Sequence, residues 1–129
     1  MSVLVFYKST PEGAEAVRAG AVQAAFHRTT LVVHNVPQDA AEAEEVVALA
    51  SGAAAGAEVE LQTVPAPDGG VDGVDEFLAA AGEAGVDLLV LGIRHRTPVG
   101  KLILGSNAQR VLLDAPCAVL AADTASAAG

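Results

Sequence analysis

The segment from Gly92 to Asn107 reads Gly-Ile-Arg-His-Arg-Thr-Pro-Val-Gly-Lys-Leu-Ile-Leu-Gly-Ser-Asn and gathers the residue types suited to holding an anion. Arg94, Arg96, Lys101 and Arg110 lie in it or just after it, four of the seven Lys and Arg residues in a chain of formal net charge -9. No Asp or Glu intervenes between Asp87 and Asp114. Guanidinium groups hold phosphate through paired, charge-assisted hydrogen bonds. Gly105-Ser106 then opens a short amphipathic pattern, where the unpaired N–H groups and dipole of a helix start favour phosphate at the same place. The loop has no acid to hold magnesium or activate water, so the chemistry it suggests is binding and not turnover.

The familiar phosphate motifs are not met. Gly100-Lys101 is followed by Leu102, where a Walker A loop needs Ser or Thr, and Gly69, Gly70 and Gly73 do not follow a strand as a dinucleotide fingerprint requires. Local physics alone leaves phosphate binding and a structural strand-to-helix connection evenly matched. Four other residues favour structural readings: His34 as a hydrogen-bonded strand end, His27 at a helix end, Cys117 as a small packed thiol, and Thr10 as a helix cap more than a ligand contact.

The elements that must position the loop alternate. Apolar or β-branched runs predict strands over 2–7, 30–35, 58–64, 87–91 and 118–122. Leu31-Val32-Val33 and Leu88-Leu89-Val90-Leu91 are apolar on both faces, as in a parallel sheet covered by helices on each side. Val59, Leu61 and Thr63 alternate with Glu58, Glu60 and Gln62, which predicts an edge strand. Thr10-Pro11-Glu12 starts a first helix with Val17, Ala21, Ala24 and Ala25 inward, ending near Arg28. Asp39 caps a second with Ala43, Val46, Val47 and Ala50 inward, while Glu42, Glu44 and Glu45 are solvated. A third presents Val74, Phe77, Leu78 and Ala81, and a fourth, over 106–114, presents Ala108, Val111 and Leu112.

This order predicts an α/β fold, a doubly wound five-stranded parallel sheet of order 3-2-1-4-5 with helices on both faces. Ligands bind such sheets where the order reverses, here between the first and fourth strands, which brings Lys8 toward the basic loop. One domain over 1–122 is expected, with a mobile tail over 123–129. A single Cys excludes an internal disulfide and indicates a reduced, cytoplasmic setting. Acidic charge and 3% aromatic content argue against nucleic acid and anionic membranes as partners.

On these residues the chain resembles the universal stress protein family over essentially its whole length. The family pattern is Gly, two residues, Gly, nine residues, Gly, then Ser or Thr; Gly92, Gly105 and Ser106 match, and His95 stands at the second glycine. Residues 108–120, Ala-Gln-Arg-Val-Leu-Leu-Asp-Ala-Pro-Cys-Ala-Val-Leu, resemble the family's last helix and strand. ATP-binding members commonly end the first strand in an Asp, and Lys8 takes that place here. The resemblance implies a non-enzymatic, nucleotide-responsive regulatory module that binds ATP or another adenine nucleotide, with magnesium left open. Adenine or ribose would pack near Tyr7, Lys8, Asn35 and Leu91, beside Gly92. Arg94, Arg96 and Ser106, with the N–H groups of Ser106 and Asn107, would hold phosphates, and His95 would border them. A homodimer through the edge strand 118–122 is expected both from the resemblance and from the strand's uncharged, apolar character. The rival readings are a dimeric interaction protein whose pocket His95 fills, and a slow ATPase.

Overall fold

A computed structural model describes residues 2–64, 73–83, 85–93 and 105–123. Five strands alternate with four helices: β1 (Ser2–Phe6), α1 (Pro11–Phe26), β2 (Thr30–Pro37), α2 (Ala40–Ala53), β3 (Val59–Val64), α3 (Val74–Ala81), β4 (Val86–Ile93), α4 (Ser106–Asp114) and β5 (Ala118–Asp123). The strands form one sheet of order β3-β2-β1-β4-β5, and every neighbouring pair is parallel. This is the predicted doubly wound architecture, and β3 lies at an edge as its alternating pattern required.

Alternate side chains of each strand feed two separate cores. Val3, Val5 and Tyr7 join Leu31, Val33 and Val90 beneath Val17 and Ala21 of α1 and Val46 of α2. Leu4 and Phe6 join Val32, Leu89 and Leu91 against Phe77 of α3 and Val111 of α4. The central strands are therefore apolar on both faces, because each face carries its own helix layer.

Several boundaries and faces differ from the sequence expectation. β2 runs two residues further, to Pro37, through a register shift between His34 and Val36. Asn35 is the residue left over at the shift, with φ 75°, a left-handed conformation that Asn tolerates better than most residues. Its Nδ2 donates to the Tyr7 carbonyl at 3.1 Å, which ties the bulge to the end of β1. β4 extends to Ile93 and β5 to Asp123, and these two residues are partners in the ladder. Ala25, Val47 and Leu112, expected to face inward, are exposed instead, so the apolar stripes of α1, α2 and α4 are narrower than the hydrophobic residues alone suggest. The expected tail beyond Asp123 lies outside the described residues.

Two helix starts carry the caps read from the sequence. The Thr10 hydroxyl accepts from the Gly13 N–H at 3.1 Å with Pro11 at the first helical position, and the Asp39 carboxylate accepts from the N–H groups of Ala41 and Glu42. Among the described residues no helix is long and apolar enough to cross a membrane.

Candidate functional site

The carboxyl ends of β1 and β4, neighbours at the point where strand order reverses, open into a cavity of about 520 Å³. Its floor is apolar, from Phe6 at the end of β1 and Leu91 and Ile93 at the end of β4. Its rims are two helix starts: Thr10, Glu12 and Gly13 from α1, and Gly105, Ser106, Asn107 and Ala108 from α4. Lys8 stands between β1 and α1, with its ammonium 5.7 Å from the centroid of the Phe6 ring. A mixed wall of this kind suits a ligand with a flat apolar part and an anionic end.

The anionic end is indicated by α4. Its N-cap is Gly105, which provides no side-chain cap, and its first turn contains no acidic residue. Helix-start N–H groups that lack an intrahelical acceptor carry the positive end of the helix dipole, and here that turn borders the cavity. The α1 start faces the same space, although Thr10 already caps one of its N–H groups.

Close packing of α1 onto the sheet decides where this space lies. A Cβ on Gly92 would sit 2.0 Å from the Glu12 carbonyl oxygen, and one on Gly13 would sit 1.9 Å from the Lys8 carbonyl oxygen. Both distances are far inside van der Waals contact, so both positions need glycine for close approach. The first turn of α1 thereby seats directly on the end of β4 and folds back on the loop from β1.

Of the residues the sequence nominated, Lys8, Leu91, Gly92, Gly105, Ser106 and Asn107 line the cavity together. Tyr7 and Asn35 are buried beside it and are not among its walls. Tyr7 points to the opposite face of the sheet, where its hydroxyl donates to Glu42 Oε1 at 2.6 Å, and the same oxygen accepts from Ser9. Burial, followed by the bond to Glu42, pushes the Tyr7 phenol well above its usual range. Arg94, His95, Arg96 and Lys101 lie outside the described residues. Arg110 pairs with Asp75 and Asp114.

Sequence reasoning placed Ile93 at the start of the crevice loop, as found, and missed Phe6, Glu12, Gly13 and Ala108 as lining residues. The signal for Phe6 lies in its alternation with Tyr7 at the end of the strand expected over 2–7, since one of the two must face the crevice. Glu12 gave none, because an acid in a first helical turn is ordinary dipole compensation. His34 is buried with Nδ1 hydrogen-bonded to Gln62 at 2.7 Å and its ring 5.8 Å from that of Phe77. Burial, with Asp87 as a lesser influence, pushes the half-buried Cys117 thiol up, which disfavours the thiolate a nucleophile needs. Among the described residues no group of His, Cys, Asp and Glu is arranged to hold a metal ion.

A five-stranded, doubly wound parallel sheet with a crevice at its switch point is the architecture of the small α/β proteins whose ligand sites lie at that point. The universal stress protein family model matches residues 1–122, and the chain belongs to that family. A universal stress protein from Mycolicibacterium smegmatis is 41% identical over 124 residues, which cover 92% of this chain and 95% of that one. Among solved structures, a universal stress protein from Archaeoglobus fulgidus superposes with a TM-score of 0.71 at 27% identity, covering 95% of this chain and 98% of its own. A universal stress protein in complex with cAMP gives a TM-score of 0.71 at 26% identity, with 96% and 97% covered.

Proposed function

We propose that this protein is a cytoplasmic, non-enzymatic regulatory module whose state responds to an adenine nucleotide held in the β1–β4 cavity. The observation that carries the reading is the first turn of α4, which starts at a glycine with no side-chain cap, opening onto a cavity with an apolar floor at the switch point. That combination matches a phosphate at one end and a base at the other. The similar universal stress protein in complex with cAMP supports an adenine nucleotide as the ligand class.

In this reading the N–H groups of Ser106 and Asn107 and the Ser106 hydroxyl take the phosphate, while Leu91 and Gly92 border the base and sugar and Lys8 adds positive charge. Tyr7 and Asn35 hold the adjoining strand ends in place. Arg94 and Arg96 follow the cavity residue Ile93 directly in the chain and complete the positive end, with His95 between them. The module acts as a homodimer joined through β5.

Calorimetric titration with ATP, ADP, AMP and cyclic AMP, with and without magnesium, tests the ligand. At least one should bind and raise the melting temperature, since a ligand specific to the folded state stabilises it by mass action. Absence of heat and of thermal shift for all four at millimolar concentration would remove the nucleotide reading and leave the chain as an interaction protein.

A further inference from the structure

The two edges of the sheet differ in charge. β5 carries none before Asp123, whereas β3, at the opposite edge, reads Val-Glu-Leu-Gln-Thr-Val and follows Glu58 directly. Val59 and Leu61 pack into the core shared with α2, so strand alternation puts Glu58, Glu60 and Gln62 on the other face. Glu58 and Glu60 are exposed. The Leu31 N–H donates to the Glu58 carbonyl at 2.8 Å, which fixes the direction of the backbone groups: those of Glu58 and Glu60 turn to β2, and those of Val59 and Leu61 turn outward. Among the described residues no strand lies beyond them. Beside this edge α2 and β3 form a shallow apolar groove of about 370 Å³, lined by Ala43, Glu44, Val47, Ala48 and Leu61, with Val47 41% exposed.

Acidic side chains on an edge guard it against self-association, and a guard alone needs no groove. Here one face of the edge is acidic and the other offers apolar surface, and together they specify a pattern. A strand added at this edge sends alternate side chains to the two faces, one set into the groove against Val47 and Leu61 and the other alongside Glu58 and Glu60. We propose that the β3 edge accepts, as an added strand, an extended segment of a partner protein in which apolar residues alternate with Lys or Arg. Backbone pairing supplies affinity, and the two faces supply selectivity. A second copy of the chain is a poor occupant, because pairing two β3 edges brings the acidic faces together. The formal charge of -9 adds long-range attraction for a basic segment. The groove shares no residue with the β1–β4 cavity, so the proposal does not rest on the nucleotide reading.

The test titrates the whole protein with a peptide of alternating Lys and Val as long as β3. The controls are alternating Glu and Val, alternating Lys and Ser, and the same Lys and Val residues sorted into two blocks. The Lys-Val peptide should bind about tenfold or more tightly than each control, the scale of a few cross-strand pairs. Its binding should slow hydrogen exchange at the Val59 and Leu61 N–H groups. Glu60→Lys should weaken it about threefold, Glu58→Lys with Glu60→Lys about tenfold, and Val47→Ser about threefold. All three positions are exposed, so melting temperatures should change little. No binding of the Lys-Val peptide, equal binding of the block peptide, or binding that leaves the Val59 and Leu61 amides unprotected would overturn the proposal. It is overturned as well if those amides gain protection with rising protein concentration alone, because the occupant is then a second copy.

Discussion

At the scale of single residues, the glycine at the start of the motif has a packing role that does not depend on ligand. Gly92 and Gly13 admit the first turn of α1 to the end of β4 and to the loop after β1, and a methyl group at either would collide with a backbone carbonyl. Gly92→Ala or Gly13→Ala should therefore cost about 1–3 kcal/mol or more through overpacking, read as a lower urea midpoint, even without nucleotide. Unchanged stability would show that α1 is not tightly seated. Tyr7 offers a test by pH. Its phenol is raised above the ordinary value near 10 by burial and by donating to Glu42, so its contribution to stability is complete below about pH 10 and is lost as pH rises above that. Tyr7→Phe should be less stable than wild type at pH 8, and the difference should shrink by about pH 11. A constant difference in urea midpoint would exclude the linkage. If Arg94 and Arg96 hold phosphate as proposed, replacing either with Ala should weaken ATP by about 1–3 kcal/mol with little change in melting temperature. Undiminished affinity in the double variant would show that the α4 turn and Lys8 suffice.

At the scale of elements, the helix starts differ in their caps. α1 and α2 begin with side-chain caps, Thr10 and Asp39, whereas α3 and α4 begin at glycines, and of these two it is the first turn of α4 that borders the cavity. β5 is the matching case among strands. It is the edge beyond β4, it carries no charge before Asp123, and Val119 and Leu120 are only half-buried. An apolar, uncharged edge strand invites pairing with a second copy across a two-fold axis. Sedimentation at tens of micromolar should give a dimer, and Val119→Lys or Leu120→Lys should shift it toward monomer. A wild-type monomer under those conditions would exclude β5 as a dimer edge.

For the whole molecule, charge and fold act in opposite directions on an anionic ligand. The chain carries -9 overall, which repels nucleotides at long range. The cavity counters this locally by bringing together Lys8, the α1 start and the α4 start, which are 97 or so residues apart at their extremes in sequence and meet only because β1 and β4 are neighbours. Of the three acids of α2 expected to be solvated, Glu44 and Glu45 are exposed, whereas Glu42 is half-buried and accepts from Tyr7 and Ser9; none of them is among the cavity walls.

The sequence by itself determined the order of elements, the sheet topology and most of the cavity's switch-point residues. Apolar periodicity, the caps at Thr10 and Asp39, and right-handed crossovers are local or nearly local constraints, and together they point to a doubly wound sheet, of which 3-2-1-4-5 is one of the common orders. It also marked Gly92, Gly105 and Ser106, through their resemblance to the universal stress protein pattern. The tertiary structure decided the rest, because the outcome depended on how separate elements meet. Whether Phe6 or Tyr7 faces the cavity follows from which face of β1 each helix layer covers. Asn35 closes a bulge because β2 and β3 slip in register there, a mismatch that neither strand reveals alone. Glu12 reads as an ordinary first-turn acid in the sequence, and only the seating of its main chain against Gly92 brings it to the cavity wall.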